Sequence, residues 1–249
     1  MKEWMVLNLS KTIDEYANDF YENYSNSDFQ INQGASVLLI KDNEIYFALA
    51  KEKSWKSNND NIPIIKFTGI GGTREKDEKI FKTLKRELKE EVNLSIEKLN
   101  FPKITETTIV TNYSENSKIK FNGLYNPLYI VDYRLPLRDD IKINGKKKYS
   151  CLQLFVFLAN VDEDVSISPV EEDNITGIIS ANKENLVKYL NGNCQINSKE
   201  ANIKWKKKYK NLEKIIINPK FTPKGLIDAG LDMQDLLDIL KGEKYKYVK

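Results

Sequence analysis

Between Gly72 and Leu94 the chain reads GTREKDEKIFKTLKRELKEEVNL, a glycine followed by a segment rich in lysine and glutamate. Apolar residues recur in this segment every three to four positions, which predicts an amphipathic helix over residues 78–91. The apolar face of the helix consists of Ile80, Phe81, Leu84 and Leu88. Because such a face must be covered, we expect this helix to pack in the core of the domain.

Three glutamates converge near the end of the predicted helix. Glu87 and Glu91 lie one turn apart on the same face, and Glu90 is offset to one side. Like charges at this spacing cost about 0.2–0.5 kcal/mol, and the C-terminus of a helix is already negative. A divalent cation would remove both penalties, because carboxylates are common ligands of Mg²⁺ and Mn²⁺. For a short acidic string alone, a solvated charged helix face would be the simpler interpretation.

The wider spacing favours the metal-binding interpretation. Gly72 is followed after five residues by Glu78, and after seven more by the string RELKEE, which begins at Arg86. This pattern resembles the Nudix box, G-x5-E-x7-R-E-U-x-E-E-x-G-U, in which U is a bulky aliphatic residue. Every defined position matches except Asn93, which stands where the family has glycine. Asparagine is the next-best residue for a left-handed helix cap, so we expect the same cap geometry.

The resemblance implies a hydrolase that cleaves a pyrophosphate linkage in a nucleoside diphosphate linked to another moiety. The reaction is metal-assisted attack of water on phosphorus, with Mg²⁺ as cofactor and Mn²⁺ as a substitute. The metal positions implied by the resemblance are Glu87, Glu90, Glu91 and Gly72, and Glu90 or Glu91 is expected to bridge to the attacking water. ADP-ribose, a nucleotide sugar, a dinucleoside polyphosphate and a nucleoside triphosphate all remain compatible substrates.

Residues around these positions receive supporting roles from the same resemblance. Arg86 is expected to pair with Glu78 and to hold the loop, helix and following loop in shape. Some relatives use a glutamate outside the box as general base, for which Glu171 and Glu172 are the candidates, and we assign Glu172. Two solvated loop acids are an equally reasonable interpretation of that pair. Trp55 and Tyr113 could stack on a nucleobase, but no residue is assigned to base recognition or to binding an organic cofactor.

The composition limits the chemistry available to the chain. Its 249 residues include no histidine, which excludes histidine nucleophile pairs, histidine general bases and histidine metal sites. Carboxylates with a hard, oxygen-ligated metal need no histidine, so the composition is compatible with the resemblance. The two cysteines, Cys151 and Cys194, form no C-x-x-C pair and predict neither redox chemistry nor a zinc site.

The remaining sequence predicts a mixed α/β (α+β) sandwich. Hydrophobic periodicity indicates helices over residues 13–24 and 183–190, and strands over residues 35–40, 45–50, 64–68, 128–133, 152–160 and 175–179. We predict an N-terminal helical segment (residues 1–32), a Nudix-type domain with a mixed sheet (33–190) and a basic, helical C-terminal extension (191–249). Within the extension, a terminal helix is expected to begin at Thr222-Pro223 and to end at Gly242.

Partners and location follow less directly. Basic residues number 39 and acidic residues 36, so the whole chain is not a strongly charged ligand for nucleic acid. A lysine-rich run, residues 199–214, also contains Trp205 and Tyr209, and it raises an RNA-directed activity as an alternative to a solvated helix face. A nucleotide-sensing module without turnover is the other alternative. We expect a small-molecule nucleotide substrate, a cytoplasmic protein that does not contact the membrane, and an extension that serves as substrate lid or dimer element, which leaves a homodimer open.

Overall fold

The computed structural model describes residues 6–8, 11–25, 29–136, 142–143, 146–147 and 149–242. Residues 26–28 of the predicted N-terminal segment lie outside the described residues, as do residues 243–249 of the extension. The helices are α1 (Ile13–Ser25), α2 (Ile80–Val92), α3 (Lys183–Leu190), α4 (Thr222–Asp228) and α5 (Met233–Leu240). The strands are β1 (Val6–Asn8), β2 (Phe29–Lys41), β3 (Glu44–Leu49), β4 (Lys56–Ser57), β5 (Pro63–Thr68), β6 (Ile70–Thr73), β7 (Leu99–Asn100), β8 (Thr107–Thr111), β9 (Ser117–Lys120), β10 (Tyr129–Pro136), β11 (Lys142–Ile143), β12 (Lys146–Lys147), β13 (Tyr149–Val161), β14 (Gly177–Ala181), β15 (Cys194–Asn197), β16 (Ile203–Trp205) and β17 (Lys214–Pro219).

A large mixed sheet organises the chain around β2. Its longest path runs β1-β9-β8-β10-β13-β2-β3-β5-β17-β15, while β14 pairs with β3 and β16. Strand β13 is parallel to β2 over the whole of residues 29–40. On its other side β2 pairs antiparallel first with β6 and then, from Leu39 onward, with β3. The sheet therefore divides beside β6, the strand that carries the glycines before helix α2.

Alternate residues of β2 face two separate cores, because successive side chains of a strand point to opposite faces. Val37 and Leu39 pack in the core that contains the apolar face of α2, whereas Leu38 and Ile40 pack with α3, α4 and α5. Helices thus cover both faces of the sheet. The predicted α+β sandwich with a mixed sheet, an N-terminal helix and C-terminal helices is confirmed.

The C-terminal tail is two helices, so the prediction of one continuous helix is wrong. Gly230 lies between them with a φ of 68°, a left-handed conformation that ends a helix. Asp232 then starts α5 with a capping box, in which its side chain and that of Asp235 bond each other's backbone amides. Apolar residues recur at helical spacing on both sides of Gly230, because α4 and α5 each bury one face in the same core.

The lysine-rich run also differs from its prediction. It contains β16 and a 3-10 turn from Lys207 to Tyr209, so it is not a helix face. The expectation that its lysines stay solvated is wrong for Lys206, which is only 4% exposed. Among the described residues, no helix is long and apolar enough to span a membrane.

Candidate active site

Helix α2 is oriented by its buried apolar face and ended by a left-handed cap. Its apolar residues Ile80, Leu84 and Leu88 are fully buried, which orients the helix and leaves its glutamates at one end of the sheet. The helix ends at Asn93, whose φ of 52° and ψ of 33° give the left-handed cap expected from the sequence. The amide of Leu94 donates to the carbonyl of Leu88 at 3.1 Å and closes the cap. The glycine-to-asparagine difference at residue 93 therefore preserves the backbone geometry.

Arg86 connects the helix to the preceding loop. Its Nε and Nη2 atoms donate to the two carboxylate oxygens of Glu78 at 3.2 and 3.1 Å, which is the predicted ion pair. The same guanidinium donates to the carbonyl oxygen of Thr73 at 2.9 Å. Its Nη1 atom donates to Glu87 at 2.7 Å and to Glu90 at 3.0 Å. One planar cation thus holds the loop and orients two of the three glutamates.

Glu78 is an anchor inside the loop. It is 8% exposed, and besides Arg86 it accepts hydrogen bonds from the amide of Glu75 at 3.2 Å and the hydroxyl of Thr83 at 2.9 Å. Burial alone would raise the pKa of Glu78, but the hydrogen bonds from these three donors outweigh burial and hold the pKa below its usual value. Glu78 therefore stays ionised and serves the structure of the loop.

Glu91 and Glu87 meet the backbone of the two glycines in β6. The amide of Gly71 donates to Oε2 of Glu91 at 2.8 Å, and Glu91 is 7% exposed. A Cβ atom placed on Gly72 would lie 2.5 Å from the carboxylate atoms of Glu87, so a larger residue there would displace that carboxylate from its position. Gly71 has a φ of 145°, and a Cβ atom there would lie 2.2 Å from the carbonyl oxygen of Ala35. The glycine pair thus allows two carboxylates to approach the strand closely.

The acidic groups interact electrostatically. Burial raises the pKa of Glu91 well above its usual value, and the charges of Glu87, Asp173 and Glu90 raise it further against the Gly71 hydrogen bond. Burial likewise raises the pKa of Glu87, with additional contributions from Glu90 and Asp173 and opposition from Arg86. Mutual repulsion of this kind is typical of side chains that share a cation.

A loop before β14 completes the acidic cluster. The amide of Val170 donates to the carbonyl oxygen of Glu91 at 2.8 Å, which attaches this loop to the end of helix α2. Asp173, from the same loop, is the residue whose charge acts on Glu87 and Glu91. Nζ of the buried Lys206 donates to the carbonyl oxygen of Asp173 at 2.6 Å, so a cation from the C-terminal extension lies beside the cluster.

Comparisons with known proteins give a fold-level likeness only. No protein-family model matches the chain, and no curated protein matches it. An ADP-ribose pyrophosphatase from Streptococcus suis has a TM-score of 0.35 and 9% identity, with 88% of this chain and 96% of that chain covered. A Nudix hydrolase from Nitrosomonas europaea has a TM-score of 0.32 and 12% identity, with coverage of 64% and 76%.

A third solved structure is similar to the same degree. For a MutT Nudix hydrolase from Burkholderia pseudomallei the TM-score is 0.30 and the identity 16%, with 62% of this chain and 85% of that chain covered. Two of these three solved structures are described as Nudix hydrolases and one as an ADP-ribose pyrophosphatase. Because the TM-scores and identities are low, the functional argument for this chain depends on its own residues.

The residues predicted to bind the metal lie close together, but they are not arranged to hold a metal ion. Within the described part of the chain, no group of three or more histidine, cysteine, aspartate or glutamate side chains has the geometry to hold a metal ion. The carboxylates of Glu87 and Glu90 accept hydrogen bonds from Arg86, and the carboxylate of Glu91 accepts one from the amide of Gly71. The carbonyl oxygen of Gly72 faces β2, where a Cβ atom on Gly34 would lie 2.4 Å from it.

The donor chemistry nevertheless fits Mg²⁺. Three carboxylates and a fourth from Asp173 supply hard oxygen atoms, and their repulsion is a cost that a dication would remove. Glu90 is half exposed, so its contact with Arg86 is open to exchange. To bind Mg²⁺, the carboxylates of Glu87 and Glu90 would have to give up their hydrogen bonds with Arg86.

The candidates outside the box have other surroundings. Glu172 is exposed on the loop, and its neighbour Glu171 accepts a hydrogen bond from the amide of Lys207 at 3.1 Å. Trp55 donates to the carbonyl oxygen of Ala50 at 2.7 Å, with its ring 5.2 Å from that of Tyr209. Tyr113 donates to Asp132 at 2.7 Å, and the guanidinium of Arg134 lies 3.8 Å from its ring centroid.

Sequence reasoning missed Asp173 and Lys206. Asp173 directly follows the two candidate glutamates, so the acidic run 171–173 was itself a usable signal, although the sequence does not say which member points inward. Lys206 sits among exposed lysines and has no distinguishing neighbour in the sequence. Its burial results from the pairing of β16 with β14, which places it beside the loop.

Proposed function

We propose that the chain is a Mg²⁺-dependent hydrolase that cleaves a pyrophosphate linkage in a nucleoside diphosphate linked to another moiety. The observation that supports this function best is the approach of Glu87 and Glu91 to the glycine pair of β6, with Glu90 and Asp173 electrostatically coupled to them. Buried, mutually repelling carboxylates carry an energetic cost, and such a cost is common where side chains serve a reaction. The box spacing in the sequence independently selects Glu87, Glu90 and Glu91.

In this proposal Glu87, Glu90 and Glu91 hold the metal. Bound Mg²⁺ would neutralise the charge of the pyrophosphate and make phosphorus more open to attack by water. Phosphoryl transfer depends mainly on positioning and on electrostatic stabilisation, which a site of fixed carboxylates supplies. The Gly71 amide fixes the carboxylate of Glu91, and Arg86 acts as a positioning residue for Glu87 and Glu90.

Glu172 remains our candidate for a general base outside the box. Its exposed position on the loop leaves its carboxylate accessible to a substrate. Asp173 lies closer to the acidic cluster, and we assign it the role of a fourth acidic group there. Comparing Glu172→Gln with Asp173→Asn in the same activity assay separates the two roles, since the base controls the pH profile of turnover whereas the cluster member controls the Mg²⁺ requirement.

A hydrolysis screen tests the proposed function. The four substrate classes are ADP-ribose, a nucleotide sugar, a dinucleoside polyphosphate and a nucleoside triphosphate, each incubated with and without Mg²⁺. The products are identified by mass spectrometry in ¹⁸O-labelled water. We expect Mg²⁺-dependent cleavage of at least one class, with the label on a phosphate product. Label only on the non-phosphate fragment would show that another bond is broken.

One observation favours a second candidate, a nucleotide-sensing module without turnover. Glu87 and Glu90 are paired with Arg86, and no metal-binding trio is formed among the described residues. Binding of a nucleotide in calorimetry, together with no Mg²⁺-dependent hydrolysis of any of the four classes, would support sensing and contradict the hydrolase.

A further inference from the structure

A cavity of about 300 Å³ opens beside the glycine pair of β6. Gly71 and Gly72 line it, and the same two residues contact Glu91 and Glu87. The cavity therefore adjoins the acidic cluster. Its lining also includes three lysines and no acidic side chain; the lysines are Lys51, Lys66 and Lys220. We call these three residues the lysine triad.

The fold brings the lysine triad together from three separate segments. Lys66 lies between the buried residues Ile65 and Phe67 of β5, so strand alternation turns its side chain to the opposite face. The amide of Lys220, just after β17, donates to the carbonyl oxygen of Phe67 at 3.0 Å. Lys51 follows Ala50, whose amide donates to the carbonyl oxygen of Lys66 at 2.9 Å. Backbone hydrogen bonds thus fix all three positions.

The triad is an unbalanced concentration of positive charge. Burial lowers the pKa of Lys220, and the charges of Lys66 and Lys51 lower it further. Within the described ranges, no aspartate or glutamate forms an ion pair with any of the three lysines. Nζ of Lys220 lies 4.5 Å from the ring centroid of Phe221, and this contact leaves the repulsion among the three ammonium groups in place. An anion in the cavity would offset that repulsion.

Close contacts of Thr222 fix the chain just after Lys220 in the C-terminal extension. The hydroxyls of Thr222 and Ser36 lie 2.9 Å apart and both residues are buried. The hydroxyl of Tyr129 donates to the carbonyl oxygen of Thr222 at 2.6 Å. A Cβ atom on Gly69 would lie 2.7 Å from the Thr222 side chain, so this junction has no spare space. The backbone two residues after Lys220 is therefore fixed beside the cavity.

We propose that the lysine triad binds a phosphate group of the substrate other than the two of the cleaved linkage. The substrate class is then a compound with three or more phosphates, such as a nucleoside triphosphate or a dinucleoside polyphosphate. The terminal phosphate of a nucleoside triphosphate carries about −1.5 to −2 charges near neutral pH, and each internal phosphate of a dinucleoside polyphosphate carries a single negative charge, whereas the distal ribose of ADP-ribose is neutral. This inference rests on the proposed function, because it takes the acidic cluster as the place of cleavage.

Binding of inorganic tripolyphosphate, measured by calorimetry in EDTA, tests the triad without hydrolysis. We expect Lys66→Gln and Lys51→Gln in the full chain to weaken binding by about tenfold or more each, the effect of one lost hydrogen bond to a charged group. Lys183→Gln, at the exposed start of α3, removes the same charge from a residue that does not line the cavity and is the matched control. Unchanged binding in both triad variants, or equal weakening in the control, would overturn the proposal.

Kinetics then separate this inference from the proposed function. Wild-type kcat/KM should be higher for ATP or diadenosine tetraphosphate than for ADP-ribose, and Lys66→Gln should reduce that preference by about tenfold. Hydrolysis that prefers ADP-ribose would overturn the triad proposal and leave the hydrolase standing. Triad-dependent tripolyphosphate binding without hydrolysis of any substrate would support the triad and contradict the hydrolase.

Discussion

Replacing Arg86 by glutamine should destabilise the chain by about 3 kcal/mol at pH 7. In the wild type the guanidinium donates to both carboxylate oxygens of Glu78, whose side chain is 7% exposed. Removing one partner of a buried ion pair costs about 3–5 kcal/mol, because the other charge is left buried and unpaired. The side chain of Arg86 is 23% exposed, so water would partly solvate Glu78 in the variant. We therefore expect a loss at the lower end of that range.

The loss should depend on pH in a direction set by Glu78. Its hydrogen bonds outweigh burial and hold its folded pKa below the ordinary glutamate value of 4.5. A carboxyl with a lowered folded pKa stabilises the fold above the unfolded pKa, and this contribution is lost as the pH falls through the folded pKa. Without Arg86, burial raises that pKa instead. The stability difference between wild type and variant should therefore shrink as the pH falls through the interval between the two folded pKa values, which lie on either side of 4.5.

Urea unfolding at pH 7 and at pH 4 measures both effects. The double variant Glu78→Gln/Arg86→Gln should recover part of the loss, because it leaves no buried charge. Lys85→Gln is the matched control, since it removes a neighbouring cation whose partner Glu97 is exposed, and it should cost less than about 0.5 kcal/mol. A loss below about 1 kcal/mol for Arg86→Gln, or a loss equal at the two pH values, would refute this account of the loop.

Three further outcomes are expected. Gly72→Ala should lower turnover at least about tenfold with little change in the urea midpoint, because the alanine methyl group would displace the flexible carboxylate of Glu87. An unchanged kcat/KM would contradict this contact. Mg²⁺ or Mn²⁺ should support hydrolysis in the presence of a zinc-selective chelator, and loss of activity on zinc removal would contradict an oxygen-ligated site. Single-stranded RNA should bind weakly, because the charge of Lys208 is paired with Glu52. Micromolar RNA binding that falls steeply with salt and is lost in the double variant Lys207→Glu/Lys208→Glu would support the RNA-directed alternative.

The sequence predicted most of the long elements because their apolar periodicity is strong. Helix α2 was expected over residues 78–91 and is Ile80–Val92, and strands were expected over residues 35–40 and 45–50, where β2 and β3 pair antiparallel. The short strands were missed because two to five residues carry little periodicity. Strand β17 was missed although its three consecutive isoleucines are typical of a buried strand, since the surrounding lysines suggested a solvated segment.

The acidic cluster was predictable only in part. The spacing on one helix placed Glu87 and Glu91 together, because helical geometry is local. The hydrogen bonds of Arg86 with Glu87 and Glu90, and the placement of Asp173 beside the cluster, depend on tertiary contacts. A single sequence carries no signal for such contacts. The lysine triad depends on pairing between β5 and β17, which are about 150 residues apart in the chain. The domain boundaries, the cytoplasmic location and a homodimer stay predictions.

Mg²⁺-dependent turnover of Glu91→Gln tests the central claim most directly. The change keeps the shape of a side chain that is 7% exposed and removes its charge, so the variant should fold. We expect turnover of the best substrate from the screen to fall by at least about 10²-fold, the effect of losing one charge-stabilising group. Glu97→Gln, on an exposed glutamate beyond the helix, should retain wild-type turnover. Wild-type turnover in folded Glu91→Gln would contradict a catalytic role for the acidic cluster.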